Sequence, residues 1–158
     1  MDDAKKTPGV SATAEPPRLG VDGYVLEDQI GHILRRVHQR HASIFQERIG
    51  PDGLTPTQFA AMVKIHEVGP LSQNYLGRLA AMDAATMQGV IRRLLERGYV
   101  SRTPDPSHGR RLLLALTPEG RRVIRAALDN ARAITRETLA PLTPAERETL
   151  IALLRRLA

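Results

Sequence analysis

Two groups of side chains in this 158-residue sequence have types and spacings that suit chemistry. The first is His38, Arg40 and His41, with His66 further along the chain. Imidazoles so placed suit hydrogen bonding, proton transfer or metal ligation. His38 and His41 stand three apart and can share an ion, but nothing obvious completes such a site, so no metal and no cofactor is expected. No nucleophile–base pairing, phosphate loop or metal-ligand spacing supports a small helical enzyme built on these histidines. Cysteine is absent, which excludes disulfides, thiolate metal sites and cysteine-based redox sensing.

The second group is a belt of arginine. Between residues 78 and 111 lie Arg78, Arg92, Arg93, Arg97, Arg102, Arg110 and Arg111, against only Asp83, Glu96 and Asp105. Most of the chain's formal charge of +6 is concentrated there. Such a density suits a polyanion, whether DNA, RNA or a membrane surface, and the local architecture must decide between them.

The elements that position these residues read as helices. Aromatics are only 3% of the chain and Trp is absent, so a core must be aliphatic, which suits helices better than a β-sandwich. Residues 1–22 are rich in Pro, Ala, Thr and Gly and read as a disordered tail. From Tyr24, Leu26, Ile30, Ile33, Leu34, Val37, Ile44 and Phe45 recur at three- and four-residue steps, predicting one helix of about 25 residues over 24–49. Thr55-Pro56-Thr57-Gln58 and Thr143-Pro144-Ala145-Glu146 are capping boxes, and Ser72, Asp83 and Thr117 each open a further helix. Residues 98–102 and 112–116 read as two short strands around a turn. The longest apolar runs are far below the roughly 20 residues of a membrane span, so a soluble cytoplasmic protein without a membrane partner is expected.

Two short helices followed by a hairpin make a winged helix-turn-helix over about 54–116 within one domain, 23–158. The second of those helices has two faces. Met87, Val90, Ile91, Leu94 and Leu95 form an inward stripe, and Ala84, Ala85, Gln88, Gly89 and Arg92 face the other way. Small residues let a helix backbone approach base edges, while Gln88 suits adenine and Arg92 guanine or phosphate. Ser72, Asn74, Thr86 and Arg93 are placed to meet phosphates or flanking positions, and His108, Arg110 and Arg111 extend the candidate DNA contacts onto the hairpin. A solvated amphipathic helix is the plain alternative for this helix taken alone.

The run Gly98-Tyr99-Val100-Ser101-Arg102, then Asp105-Pro106-Ser107-His108-Gly109-Arg110-Arg111, then Leu116-Thr117-Pro118-Glu119-Gly120 resembles the wing signature of the MarR family of bacterial regulators. That resemblance implies a homodimer built by the first helix and the last two (24–49 and 117–157), a pseudo-palindromic double-stranded DNA operator, and repression relieved by a ligand. It also implies a wing ion pair between Asp105 and Arg110, with Arg111 or His108 at the groove. The sequence departs from the family at His108, often Asp, and at Gly109, often Arg. A ligand-independent architectural DNA binder of the same fold is the rival reading.

His41 and His66 interrupt apolar faces. A cavity lined by Phe59 and Met62, with His38, Arg40, His41 and His66 at its rim, would suit a small aromatic carboxylate effector. Interface histidines with ordinary hydrogen bonds are the alternative. The runs 27–41 and 54–59 resemble family members that govern aromatic-acid and nicotinate catabolism, which implies a hydroxynicotinate or benzoate-like ligand. Members that sense peroxide through cysteine, or urate beside a Trp, are excluded.

Overall fold

The computed structural model describes residues 20–50 and 52–158, apart from the side chain of Arg110. The tail expected over 1–22 lies outside the described residues as far as residue 19. The described chain divides into two units between Val37 and His38.

In the first unit Val21 and Tyr24 form an antiparallel bridge across Asp22 and Gly23, both at positive φ. A 3-10 turn covers Leu26–Asp28, and helix α1, Ile30–Arg48, begins two residues later. The single helix expected from Tyr24 is therefore corrected to 19 residues, about 28 Å at 1.5 Å per residue. The break is at Gln29, whose backbone is extended (φ −83°, ψ 132°) and whose Nε2 donates to the Val25 carbonyl at 2.9 Å. Periodicity missed it because the apolar spacing runs on unchanged across the interruption. Ile30, Ile33, Leu34 and Val37 are exposed.

In the second unit α2 (Pro56–Val68), α3 (Gln73–Leu79), α4 (Ala84–Glu96), α5 (Pro118–Thr138) and α6 (Pro144–Leu157) join a small antiparallel sheet. Both capping boxes close: the Gln58 and Glu146 amides donate to the Thr55 and Thr143 hydroxyls, and their side chains accept the threonine amides. These reciprocal bonds satisfy amide donors that a helix start leaves without partners. The sheet is β1 (Leu71–Ser72), β2 (Val100–Asp105) and β3 (His108–Leu116) in the order β1-β3-β2, one strand more than expected. β1 is too short to carry a period, and its register, Leu71 to Leu114 and Ser72 to Leu113, is set by tertiary packing.

The core is aliphatic. Leu54, Met62, Leu76, Met87, Ile91, Leu94, Leu114, Val123, Ile124 and Ile134 are almost wholly buried. α4 ends in Gly98 at φ 70°, where the Gly98 and Tyr99 amides donate to the Leu95 and Leu94 carbonyls. That left-handed cap turns the chain out of the helix into β2. The base of the hairpin is locked to α5: the Thr117 amide donates to the Tyr99 carbonyl at 3.0 Å and its hydroxyl to the Gly98 carbonyl at 2.7 Å. Gly120 packs so closely here that a Cβ would overlap the Tyr99 carbonyl. Leu153, Leu154 and Leu157 of α6 are exposed.

Candidate nucleic-acid interface

α4 has the two faces its sequence predicts. Met87, Val90, Ile91 and Leu94 are buried and Leu95 is half-buried against the core. Ala84, Ala85, Thr86, Gln88, Arg92 and Arg93 are exposed, and Gly89 is half-buried. Asp83 caps the helix, accepting the Thr86 amide at 2.8 Å and the Thr86 hydroxyl at 2.7 Å. Those bonds, the backbone one foremost, hold the Asp83 carboxyl below its ordinary value. They also occupy the one hydroxyl proton of Thr86, so a bond from it to a phosphate requires the side chain to turn away from Asp83.

Arg97 belongs to a different task. It donates to the Asp52 and Gly53 carbonyls and to the Tyr99 hydroxyl, and its guanidinium lies over the Tyr99 ring, 4.7 Å from the centroid. It ties the end of α4 to the loop before α2, so one cation of the belt serves the fold.

The hairpin turns in two residues, Pro106 and Ser107, and β3 begins at His108, so the strands are longer and the turn tighter than the expected strands over 98–102 and 112–116. Asp105 accepts the Ser107 amide at 2.9 Å, which folds the turn back on its own side chain. Between Pro104 and Asp105 the pairing slips from a Leu112 partner to a His108 partner, leaving residues 109–111 on a bulge. A bulge of this kind re-aims the side chains it carries. Asp105 lies 3.9 Å from both His108 and Arg111. The Arg110 side chain, the other half of the expected wing pair, lies outside the described residues.

Arg111 also reaches across the sheet, with Nη2 3.4 Å from the Ser72 hydroxyl. That hydroxyl accepts the Tyr75 amide at the start of α3, so Ser72 is strand end, helix cap and wing contact together. Asn74 is exposed in the first turn of α3 and lines a 420 Å³ groove with Arg78, Ala81 and Ala84. Tyr75 is exposed beside it, with the Arg78 guanidinium 5.4 Å from its ring centroid. Sequence reasoning did not single out Tyr75 as a contact, although an aromatic among the polar residues of a short helix is a usable signal.

Arg102 was also left out of the contact set. It stands on β2 and lines a 530 Å³ groove with Ala85, Gln88, Gly89, Arg92, Leu95 and Glu96. Val100 is buried and Arg102, two residues on along β2, is exposed, so no alternation along the strand marked it.

The candidate effector residues separate. His41 is half-buried, its Nδ1 3.0 Å from the Thr138 hydroxyl and its ring 6.2 Å from that of Phe45. Phe45 meets Phe59 edge-on at 5.8 Å. Because the Thr138 hydroxyl donates to the Ile134 carbonyl at 2.8 Å, it accepts from His41 Nδ1–H and leaves Nε2 as the open nitrogen. Burial, then the neighbouring His38, lowers the His41 pKa. Arg40 donates to the Thr138 and Glu137 carbonyls at the end of α5, and His38 is exposed.

His66 does not join them. It is exposed and lines a separate 190 Å³ groove with Gly69, Pro70 and Arg121. On α2, Gln58, Ala61, Met62 and Ile65 are buried, and Phe59 and Val63 are half-buried against the same core. Of the expected apolar face that His66 interrupts, only His66 stands exposed. Met62 is wholly buried in the core, and His66 lies two turns, about 10.5 Å, beyond Phe59. Among the described residues no group of three His, Cys, Asp or Glu is gathered as a metal site, and no helix is long and apolar enough to cross a membrane.

A model of the MarR family matches residues 52–111. The HTH-type transcriptional repressor NicR of Pseudomonas putida is 38% identical over 94 residues, 60% of this chain and 60% of NicR. The chain thus spans less than two thirds of that relative's length. A probable transcriptional regulator from Pseudomonas aeruginosa has a crystal structure 56% identical in sequence, with a TM-score of 0.82 over 84% of this chain and 99% of its own. Bordetella bronchiseptica BpsR, whose DNA binding is regulated by 6-hydroxynicotinic acid, is 38% identical, with a TM-score of 0.80 over 85% of this chain and 96% of its own.

Proposed function

The chain belongs to the MarR family, and we propose that it is a homodimeric, sequence-specific DNA-binding repressor released by a small hydroxylated aromatic acid. The observation that carries the reading is the exposed face of α4, where Ala84, Ala85, Gln88 and Arg92 stand free of the core beside the basic hairpin. A face of small residues with one amide and one guanidinium suits a major groove, and the bulged wing suits the neighbouring minor groove. Ser72, Asn74, Arg93, His108 and Arg111 add phosphate contacts around them, and Arg110 is assigned with them from its place in the sequence. NicR is a repressor, which supports that sign of regulation.

A dimer is supported within each unit separately. Ile30, Ile33, Leu34 and Val37 are exposed on α1, and Leu153, Leu154 and Leu157 on α6. Apolar surface of that extent on helices favours a partner that covers it. Two copies would set two recognition helices about one DNA turn apart.

For the effector, the supporting observation is His41 with its open Nε2 beside the Phe45–Phe59 pair. An aromatic acid bearing a hydroxyl meets such a site with its ring and its polar edge, and BpsR is regulated by one. The domains follow the same reading, with 54–116 for DNA and 24–49 with 117–157 for dimerisation.

The test is thermal unfolding and DNA release with 6-hydroxynicotinic acid as the probe. At a hundredfold excess over Kd, a ligand of the folded state alone adds about 2.7 kcal/mol. Stabilisation with release from a duplex selected out of a random pool is the expected result, and His41→Ala should abolish both. Release that survives this substitution places the effector elsewhere. No stabilisation by any aromatic acid, with DNA binding intact, favours the architectural binder.

A further inference from the structure

A helix in the major groove and a hairpin in the adjacent minor groove straddle the sugar–phosphate strand between them. The protein surface that faces that strand is the corner where α4 meets the hairpin. That corner is the 530 Å³ groove in which Arg102 of β2 faces Gln88, Gly89, Arg92 and Glu96 of α4.

Three observations mark this corner. Arg102 is exposed and has no hydrogen-bond or ion-pair partner among the described residues. Arg92 is held, loosely, by Glu96, with Nε 3.9 Å from Oε1 and both side chains about two thirds exposed. Gly89 sits mid-helix where an added Cβ would meet nothing within 4 Å, so no packing within the protein explains a missing side chain there.

We propose that Arg102 grips a phosphate of the DNA strand passing between α4 and the wing, and that Glu96 acts there as an electrostatic brake. The proposal rests on the reading that α4 enters the major groove. A guanidinium on a strand beside the helix, rather than on the helix, is placed to meet backbone and not base edges. Glu96 opposes the same phosphate and competes for Arg92. Its carboxylate weakens every complex, and base contacts offset that loss only on the matching sequence. Because that penalty is shared, it lowers the absolute affinity for all DNA and leaves the ratio between matching and scrambled sequences to the base contacts.

Full-length protein is titrated by fluorescence anisotropy against two duplexes, one selected by the protein from a random pool and one of scrambled sequence, over a range of salt. Each phosphate contact contributes about 0.9 to the slope of log affinity against log salt. Arg102→Gln should make the slope shallower by about 1.8 for two copies, equally on both duplexes. Arg102→Lys should retain the slope, because a phosphate requires charge rather than a fork. Glu96→Gln should tighten binding to the scrambled duplex about tenfold for two copies, each contributing the order of one charge pair seen through water at about 6 Å.

An unchanged slope in Arg102→Gln overturns the phosphate grip, as does a loss confined to the selected duplex. Scrambled-duplex affinity unchanged or lower in Glu96→Gln overturns the brake. If wild-type protein binds neither duplex at low salt, the DNA reading itself fails, and the grip and the brake with it.

Discussion

Gly89 is the residue at which fold and function are set against each other. A glycine inside a helix costs about 1 kcal/mol relative to alanine, and nothing within 4 Å of its missing Cβ recovers that cost. Gly89→Ala should therefore stabilise the protein by about 1 kcal/mol in urea unfolding while weakening its hold on DNA. A variant that is both more stable and an equally good binder would show that α4 does not approach DNA at this point. His41 makes a second prediction, on pH. Its pKa is lowered by burial and then by His38, so the folded protein disfavours the imidazolium. The unfolded chain takes up that proton first, near 6.5, and stability should fall as pH drops below 6.5 towards the lower folded value. Melting curves between about pH 8 and about pH 5 check this, with His41→Gln expected to flatten the dependence. The carboxyls of Asp83 and Glu146 act at the acid end. Both are lowered by cap hydrogen bonds, so their contribution is complete above 3.8 and 4.5 respectively and is lost as pH falls further.

Helix starts were the most legible elements, because each is written in a few adjacent residues with a known local geometry. The two capping boxes, the Asp83 cap and the inward stripe of α4 can all be read from spacing alone. Two features were hidden for physical reasons. The two-residue β1 exists only because β3 offers Leu113 and Leu114 as partners. The groove around Arg102 joins residues of a helix and a strand, and no single period describes both. The histidines show the opposite failure, in which a helical repeat suggested one rim, while His66, near the end of α2, stands exposed at a different groove. The link between α3 and α4 carries its own prediction. Ala81 sits at φ 51°, a left-handed conformation that costs a side-chain-bearing residue about 1–2 kcal/mol. Ala81→Gly relieves that strain but costs about 0.4–1 kcal/mol through unfolded-chain entropy, so a net gain of up to about 1.6 kcal/mol is expected. Gly120→Ala should act in the other direction, since a Cβ there meets the Tyr99 carbonyl; a loss of about 3 kcal/mol in urea unfolding is expected.

At the scale of the whole molecule, the proposed repressor depends on a second copy. Leu153 and Leu157 are 49% and 76% exposed, which is stable in water only at the cost of an uncovered apolar face. Introducing charge with Leu153→Glu should shift the protein to a monomer in sedimentation and cut its affinity for a two-half-site duplex, leaving the far-ultraviolet spectrum of the fold intact. A dimer that persists would move the interface away from α6. Ser72, finally, sets a limit on how such regulators can be recombined. Because it ends β1, caps α3 and receives Arg111, the wing is not a detachable appendage that can be cut at Tyr99 and Thr117. A chimaera that swaps residues 100–116 alone would separate Leu114 from Leu71 and leave the donor's hairpin without its seam. The transferable cassette for new operator preferences is 71–116, in which both sides of that seam come from the same parent.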